Sequence, residues 1–457
     1  MSEIEIELFT RLKCRVPCKP IASGPVWTPS TSFTITTRCL FPSMLEPSGG
    51  SDSSELDQQI APQEKELINR GQRTSSTHIV PATPNGWSVG EATADILPDD
   101  VLLTIFFLHK EVYSSDLSWW EPLVHVCRRW RRVIFTSPLR LNLTLLCTSG
   151  TPTAESLDIW PPFPIVIYST PSDGLGGLMN TNVKAALGHR DRVTEIRFDH
   201  LSGSDFSSLS QLLSPFPALT YLSLAPIDHI AFVLPSLFLG GSAPSLRTLL
   251  LRSIPILALP KLLRSATQLV TLQLCSVPVY PYISPEMLAT CFAVMPNLRQ
   301  FGIEINVSYL SDRLPLPTRV VLSSLTSFHF MVSSDYLEEL LAQIDAPILQ
   351  TFSVTFHDLD AHTPQLLRFV NCAERLGPPI RVMVKFDFEK ALLKFMPTDS
   401  FELAILCDNP ARQISSMAWS CRELLPLLAR VERLDLYCDH LPQSTESVDP
   451  WRWVELF

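Results

Sequence analysis

Apolar positions follow two different periods along this chain, and the change of period divides it. In DILPDDVLLTIFFLHK (95–110), Val101, Leu102, Ile105, Phe106 and Leu108 recur at helical spacing. Pro98 is acceptable in a first turn, and Asp99 and Asp100 complement the helix dipole, so a short amphipathic helix starts here. After a polar spacer, Leu123, Val126, Trp130, Val133 and Ile134 recur at helical spacing within WWEPLVHVCRRWRRVIFTSPL, which predicts a second helix. Ser118 and Glu121 have capping-box spacing, although a start at Glu121 with Pro122 in the first turn fits as well. Arg128, Arg129, Arg131 and Arg132 fall on the other faces and read as a solvated surface near a helix C-terminus. Helices this short cannot bury enough surface to stand alone, so residues 93–140 form a small helical unit that calls for a covering partner.

From about residue 185 the pattern turns to period two. The unit P-x-L-x-x-[LF]-x-[LIV] occurs as PALTYLSL (217–224), PSLRTLLL (244–251), PNLRQFGI (296–303) and PILQTFSV (347–354). QLVTLQL (268–274) and SLTSFHF (324–330) repeat it without the proline, and RVTEIRF (192–198) and RVERLDL (430–436) are weaker outer copies. The leading leucines, Leu219, Leu246, Leu269, Leu298, Leu325 and Leu349, are spaced 23 to 29 residues apart. Each unit supplies one short strand, and helices with Ser or Thr starts are predicted between strands from Ser284, from Ser334 and from Thr363 to Gly377. A strand-plus-helix unit of this length resembles the leucine-rich repeat class. The implied fold class is α/β: a short all-helical unit, then an irregular leucine-rich-repeat solenoid over 185–457, with 141–184 as linker and transition strands. The Asn that commonly follows such strands occurs only at Asn306; Ile227, Ile254, Val277, Ser333 and His357 stand at the equivalent positions. Residues 381–388 and 401–406 read as further strands and 415–429 as a helix, and the closing WRWVELF suggests a truncated gene product or a missing terminal unit.

Residues 1–92 mix Pro, Ser, Thr and Gly without a sustained period and are expected to be mostly disordered, with a short helix at most over 63–69. The N-terminus MSEIEIELFT lacks the basic and apolar regions of a secretory signal. No apolar run is long enough to span a membrane. Eleven scattered cysteines indicate a reducing compartment, hence a cytoplasmic or nuclear location, and the Asn142 and Asn306 sequons read as chance matches. A net charge of −10 argues against nucleic acid as a partner. Cys14 and Cys18 have metal-like spacing but no second pair completes a site, and no nucleophile or cofactor motif is present. The expectation is therefore no enzyme, no cofactor and no metal.

LPDDVLLTIFF followed by VCRRWRRV resembles the F-box pattern, in which a Leu-Pro pair opens the first helix and a Val-Cys-[Arg/Lys]-x-Trp run lies on a later one. The combination is similar to F-box proteins with divergent repeats that are abundant in mushroom-forming fungi. The resemblance implies binding to the Skp-family adaptor on a cullin scaffold through Leu97, Pro98, Val101, Leu102, Ile105, Val126, Cys127 and Trp130, and of a protein target on the repeat surface. Side chains alternating with the core leucines are the target-binding candidates: Glu195, Arg197, Tyr221, Ser223, Thr248, Gln273, Gln300, His329, Arg433 and Asp435. The alternative is a repeat scaffold whose F-box-like helices only cap its end. In that case Val101, Ile105 and Phe106 would be buried against the first repeat.

Overall fold

A computed structural model describes residues 7–8, 34–38, 97–113, 117–151, 157, 159–169, 181–202, 214–227, 233–235, 237–254, 259–277, 283–305, 319–357, 363–377, 379–396, 400–407, 409–429 and 431–438. The expected disorder of the N-terminal segment, the helix over 63–69, Cys14, Cys18, Asn306 and WRWVELF lie outside these residues, apart from two short N-terminal strands.

The architecture is mixed α/β, built on a 15-stranded, mostly parallel sheet. Its strands are β1 (Glu7–Leu8), β2 (Thr34–Arg38), β3 (Leu145–Cys147), β4 (Ile165–Ser169), β5 (Val193–Leu201), β6 (Tyr221–Pro226), β7 (Thr248–Arg252), β8 (Thr271–Val277) and β9 (Gln300–Ile305). The short strand β10 (Val320–Val321) pairs with β12 (Ile344–Asp345) in a separate ribbon, and β11 (Ser327–Met331) and β13 (Thr351–Phe356) continue the large sheet. β14 (Arg381–Phe386), β15 (Lys390–Met396), β16 (Phe401–Leu406) and β17 (Arg433–Cys438) complete it. From β3 to β9, then β11 and β13, every strand lies parallel beside the one before it. β16 follows β13, and β15 runs antiparallel between β16 and β14.

The repeated sequence unit produces a repeated turn. The amides of Leu219, Leu246, Leu269, Leu298, Leu325 and Leu349 each donate to the carbonyl three residues earlier, at Phe216, Ala243, Ala266, Met295, Leu322 and Ala346. Both residues of every such pair are buried, so each turn drives two apolar groups under the sheet before its strand begins. The carbonyls of Thr220, Arg247, Val270, Arg299 and Thr326 then each accept two consecutive amides of the next unit. This backbone ladder joins unit to unit without an asparagine ladder.

On the inner face one register row runs Ile167, Ile196, Leu222, Leu249, Leu272, Phe301, Phe328, Phe352, Phe401. Phe328 sits 5.2 Å from Phe301 and 5.3 Å from Phe352 between ring centroids, a spacing that gives aromatic pairs their favourable edge and offset contacts. Helices over Leu259–Ser265, Pro285–Phe292, Ser334–Gln343 and Pro364–Cys372 bury their apolar stripes, including Leu263, Leu288, Leu337 and Leu366, in the same core. The predicted starts hold with small shifts. Ser284 Oγ accepts from the Met287 amide at 3.2 Å, whereas the third helix begins at Ser334 with Ser333 in the cap position, whose hydroxyl makes no capping hydrogen bond. Glu338 reaches forward to the next helix, accepting from the amides of Gln365 (2.7 Å) and Leu366 (2.9 Å). A carboxylate on those N-terminal amides offsets both their unmet bonds and the helix dipole. The last of these helices stops at Cys372, five residues short of Gly377.

Among the described residues, four helices precede β3: α1 (Asp99–Val112), α2 (Glu121–Val124), α3 (Arg128–Thr136) and α4 (Pro138–Leu141). The single second helix expected from the periodicity is two, because Cys127 is extended (φ −155, ψ 167) and caps α3 through its Sγ, which accepts from the Trp130 amide at 3.5 Å. α2 opens at Glu121 with Pro122 in its first turn, the second of the two starts considered. A core of Leu102, Leu103, Phe106, Trp119, Trp120, Val124, Val133, Ile134, Leu141, Leu143 and Phe163 holds the unit together.

Candidate functional site

Among the described residues, two faces stand open. The first is on α1. Leu102, Leu103 and Phe106 point into the helical unit's own core, and Phe106 meets Trp130 edge-on at 5.0 Å. The opposite stripe, Leu97, Val101, Ile105, Leu108 and Val112, steps by three or four residues and faces outward, with Val101 38%, Ile105 41% and Leu108 55% exposed. Pro98 is exposed at its start. Leu102, expected to meet a partner, is instead 0% exposed, since the same helical spacing that selects the outer stripe places it on the inner one.

Arg129 fastens the second half of the segment to the first. Its guanidinium donates to Asp99 Oδ1 at 2.7 Å and to the Leu97 carbonyl. The arginine run therefore lies at the start of α3 and not near a helix C-terminus. The unfavourable dipole there is offset by the Asp99 carboxylate, and Arg131 donates to the Val124 carbonyl at 3.0 Å. This arrangement sets the turn with Val126 (57% exposed) and the half-buried Cys127 beside the Leu97–Pro98 opening. Trp130 is half-buried against Phe106, and its indole nitrogen is buried without a hydrogen-bond partner.

A different face of the unit meets the sheet. Trp120 Nε1 donates to the Thr144 carbonyl at 3.0 Å, next to β3, and its ring packs 4.9 Å from Trp160 and 5.5 Å from Phe163. Phe135 joins this cluster 5.6 Å from Phe163. Neither Val101 nor Ile105 takes part.

The second open face is the outer side of the sheet. Strand alternation places Arg197, Ser223, Leu250, Gln273, Gly302, His329 and Ser353 in one register row, with Glu195, Tyr221, Thr248, Thr271, Gln300, Ser327 and Thr351 in the row beside it. The candidates Glu195, Arg197 and Tyr221 form one group: Arg197 pairs with Glu195 at 2.7 Å and its guanidinium lies 4.4 Å from the Tyr221 ring centroid. Such a group is held in place before any partner arrives. Gln273, Gln300 and His329 are exposed, and Gln300 Oε1 accepts from Thr271 Oγ1 at 3.2 Å.

Asp435 departs from the expectation. It is 2% exposed, accepting from Arg433 at 3.0 Å and from Arg381. Alternation put it on the outer face correctly, but two guanidinium groups close over it. It holds β14 and β17 together, and its hydrogen bond and charge push the Arg381 pKa up. Arg433 stays exposed and is occupied by this pair.

Among the described residues no helix is long and apolar enough to cross a membrane, and no group of three or more His, Cys, Asp or Glu is placed to hold a metal ion. Burial pushes the Cys291 thiol up to about 11 and the Cys421 thiol up to about 12, so both stay protonated at neutral pH, where a nucleophile would need the thiolate. No family model matches the chain, and no curated protein matches it either.

Proposed function

We propose that this chain is a non-catalytic substrate adaptor of the F-box type. Its helical unit docks on a Skp-family adaptor within a cullin-based ubiquitin ligase, and its leucine-rich-repeat-like sheet, an irregular solenoid, presents a protein target. Transfer chemistry belongs to a ubiquitin-conjugating enzyme elsewhere in the assembly, and this chain contributes proximity. One observation carries the reading: the aliphatic stripe Leu97, Val101, Ile105 and Leu108 is left open after the helical unit has built its own core from the other side of α1. An apolar helix face of this kind gains by lying in a partner's groove.

The capping alternative has its own support in the Trp120, Trp160 and Phe163 cluster against β3 and β4. That contact uses Trp120 at the start of α2, Phe135 on α3 and the β3–β4 connection, so a unit that caps the sheet can still offer α1 to a partner. The test is co-elution of the full chain with a purified Skp-family adaptor from the same source. The wild-type chain is expected to bind, and Val101→Asp with Ile105→Asp to abolish binding. Equal co-elution of wild type and double variant would defeat the assigned surface.

A further inference from the structure

The outer face of the sheet has a notch where one row lacks a side chain. Gly302 stands in register between Gln273 on β8 and His329 on β11. Two interstrand spacings put those flanking positions about 10 Å apart. Neither the backbone nor the neighbours demand glycine there. Its φ is not positive, and an added Cβ would meet Gln273 Cγ at 3.6 Å, the His329 Cβ at 3.9 Å and the His329 carbonyl oxygen at 4.0 Å, all ordinary contact. Glycine inside a strand weakens the sheet, so its presence costs stability without a packing reason on this face.

The chemistry of the notch is specific. Its floor is the backbone of 301–303, and Gln273, Gln300, Ser327 and His329 stand around it. Glu304 is the only carboxylate lining it. It accepts from Ser276 Oγ at 3.1 Å and forms no ion pair among the described residues. Cys275 beside it is half-buried, and desolvation followed by the Glu304 charge pushes its thiol up, which keeps it neutral. Arg252, in register with Cys275 on the next strand, does not line the notch. The wall is thus two amides, the Ser327 hydroxyl, the His329 imidazole and the Cys275 thiol around one carboxylate, on a chain of net charge −10.

We infer that this notch is the side-chain socket of the target-binding face, and that it takes a cationic side chain, lysine or arginine, from the bound protein. The alkyl stem lies over Gly302 between Gln273 and His329, and the charged end reaches Glu304. This deepens the proposed function and rests only on its assignment of the sheet face to the target.

The test uses the full-length chain to select from a displayed library of random twelve-residue peptides. The expected binders share one fixed Lys or Arg, whose replacement by norleucine weakens binding at least tenfold. Gly302→Val and Glu304→Gln weaken the same peptides at least tenfold, while Gly302→Val leaves the thermal midpoint unchanged or higher and leaves Skp-adaptor co-elution intact. Binders without a fixed cationic position, binders indifferent to Gly302→Val, or the absence of selectable binders overturns the inference. Loss of Skp-adaptor binding by the wild-type chain sinks the adaptor reading without touching these peptide readouts.

Discussion

The helical unit and the sheet each leave one face open, but the two faces are made of different chemistry. On α1 the open positions are aliphatic, Leu97, Val101, Ile105 and Leu108; in the middle of the sheet they are Thr271, Gln273, Gln300, Ser327 and His329. Aliphatic surface gains about 25 cal/mol for each Å² removed from water, whatever the partner's hydrogen-bonding pattern, so the helix face suits a constant partner. Amides, hydroxyls and an imidazole gain little net energy unless each meets its complement, so a face of this composition is suited to discriminating between partners more than to holding them. On the proposed reading, the docking face and the target face would thus differ in the source of their energy.

The largest effect expected is in the sheet's core. Phe328 contacts Phe301, Phe330, Phe352 and Phe369, and Phe328→Ala should lower stability by about 3–5 kcal/mol through lost transfer energy and a residual cavity. Urea unfolding followed by far-ultraviolet circular dichroism measures it. A loss below about 1 kcal/mol would mean that the phenylalanine row does not carry the sheet.

Leu102 and Ile105 sharpen the comparison, because three residues separate a core position from an open one on one helix. Leu102→Ala should cost about 2–5 kcal/mol. Ile105→Ala should change stability by no more than about 0.5 kcal/mol, yet reduce Skp-adaptor affinity about tenfold or more. Calorimetric titration and urea melts on the same preparations separate the two. If both variants lose stability equally, α1 has no open side and the docking face is misassigned.

Alkaline pH probes the sheet region through two buried thiols. Cys291 and Cys421 have folded-state values of about 11 and about 12, above the ordinary 9.0 of the unfolded thiol. Between those limits the unfolded chain has released protons that the folded chain retains. Stability is therefore full below about pH 9 and falls as pH rises through the folded values, by about 1.4 kcal/mol per pH unit for each thiol in its window. Cys421→Ala should remove one such contribution, flattening the decline between pH 10 and about 12 relative to wild type in urea melts at each pH. An unchanged slope would show that Cys421 titrates normally.

The strands were readable in the sequence because their alternation is anchored by a leucine at a fixed offset, and Leu219 to Leu349 all lie buried at the turn that offset implies. The helices from Ser284, Ser334 and Thr363 were readable from their start signals. What escaped lacks a side-chain signature. β15 alternates Lys390, Leu392 and Lys394 with buried Ala391 and Leu393, yet the turn before it is made by Asp387, whose carboxylate accepts from the Lys390 amide at 3.0 Å, with no glycine to mark a hairpin. The helix expected over 415–429 runs Pro410–Glu423 and restarts at Leu425–Leu428. The carbonyls that accept two amides are backbone features, which no residue type announces. On the candidate site, periodicity alone does not tell α1's inner face from its outer one, since Leu102 and Ile105 belong to one wide apolar arc, and alternation carries no sign that Arg381 and Arg433 close over Asp435.

The smallest effect tests whether the two halves of the docking segment act together. Arg129 is the side chain that joins the start of α3 to Asp99 and the Leu97 carbonyl, and the pair is partly exposed, at 22% and 54% for the two side chains. Its direct contribution to stability is therefore modest, about 0.5–1 kcal/mol once solvent screening is counted. Its effect on docking should be proportionally larger, since it holds Val126 and Cys127 beside Leu97 and Pro98. Arg129→Ala is expected to weaken Skp-adaptor binding several-fold. Arg129→Lys should recover little of it, because an ammonium cannot meet the carboxylate and the carbonyl in the fork geometry of a guanidinium. If Arg129→Ala binds as well as wild type, the open stripe of α1 is sufficient by itself, and the Val126–Trp130 run belongs to the helical unit's folding and not to its docking face.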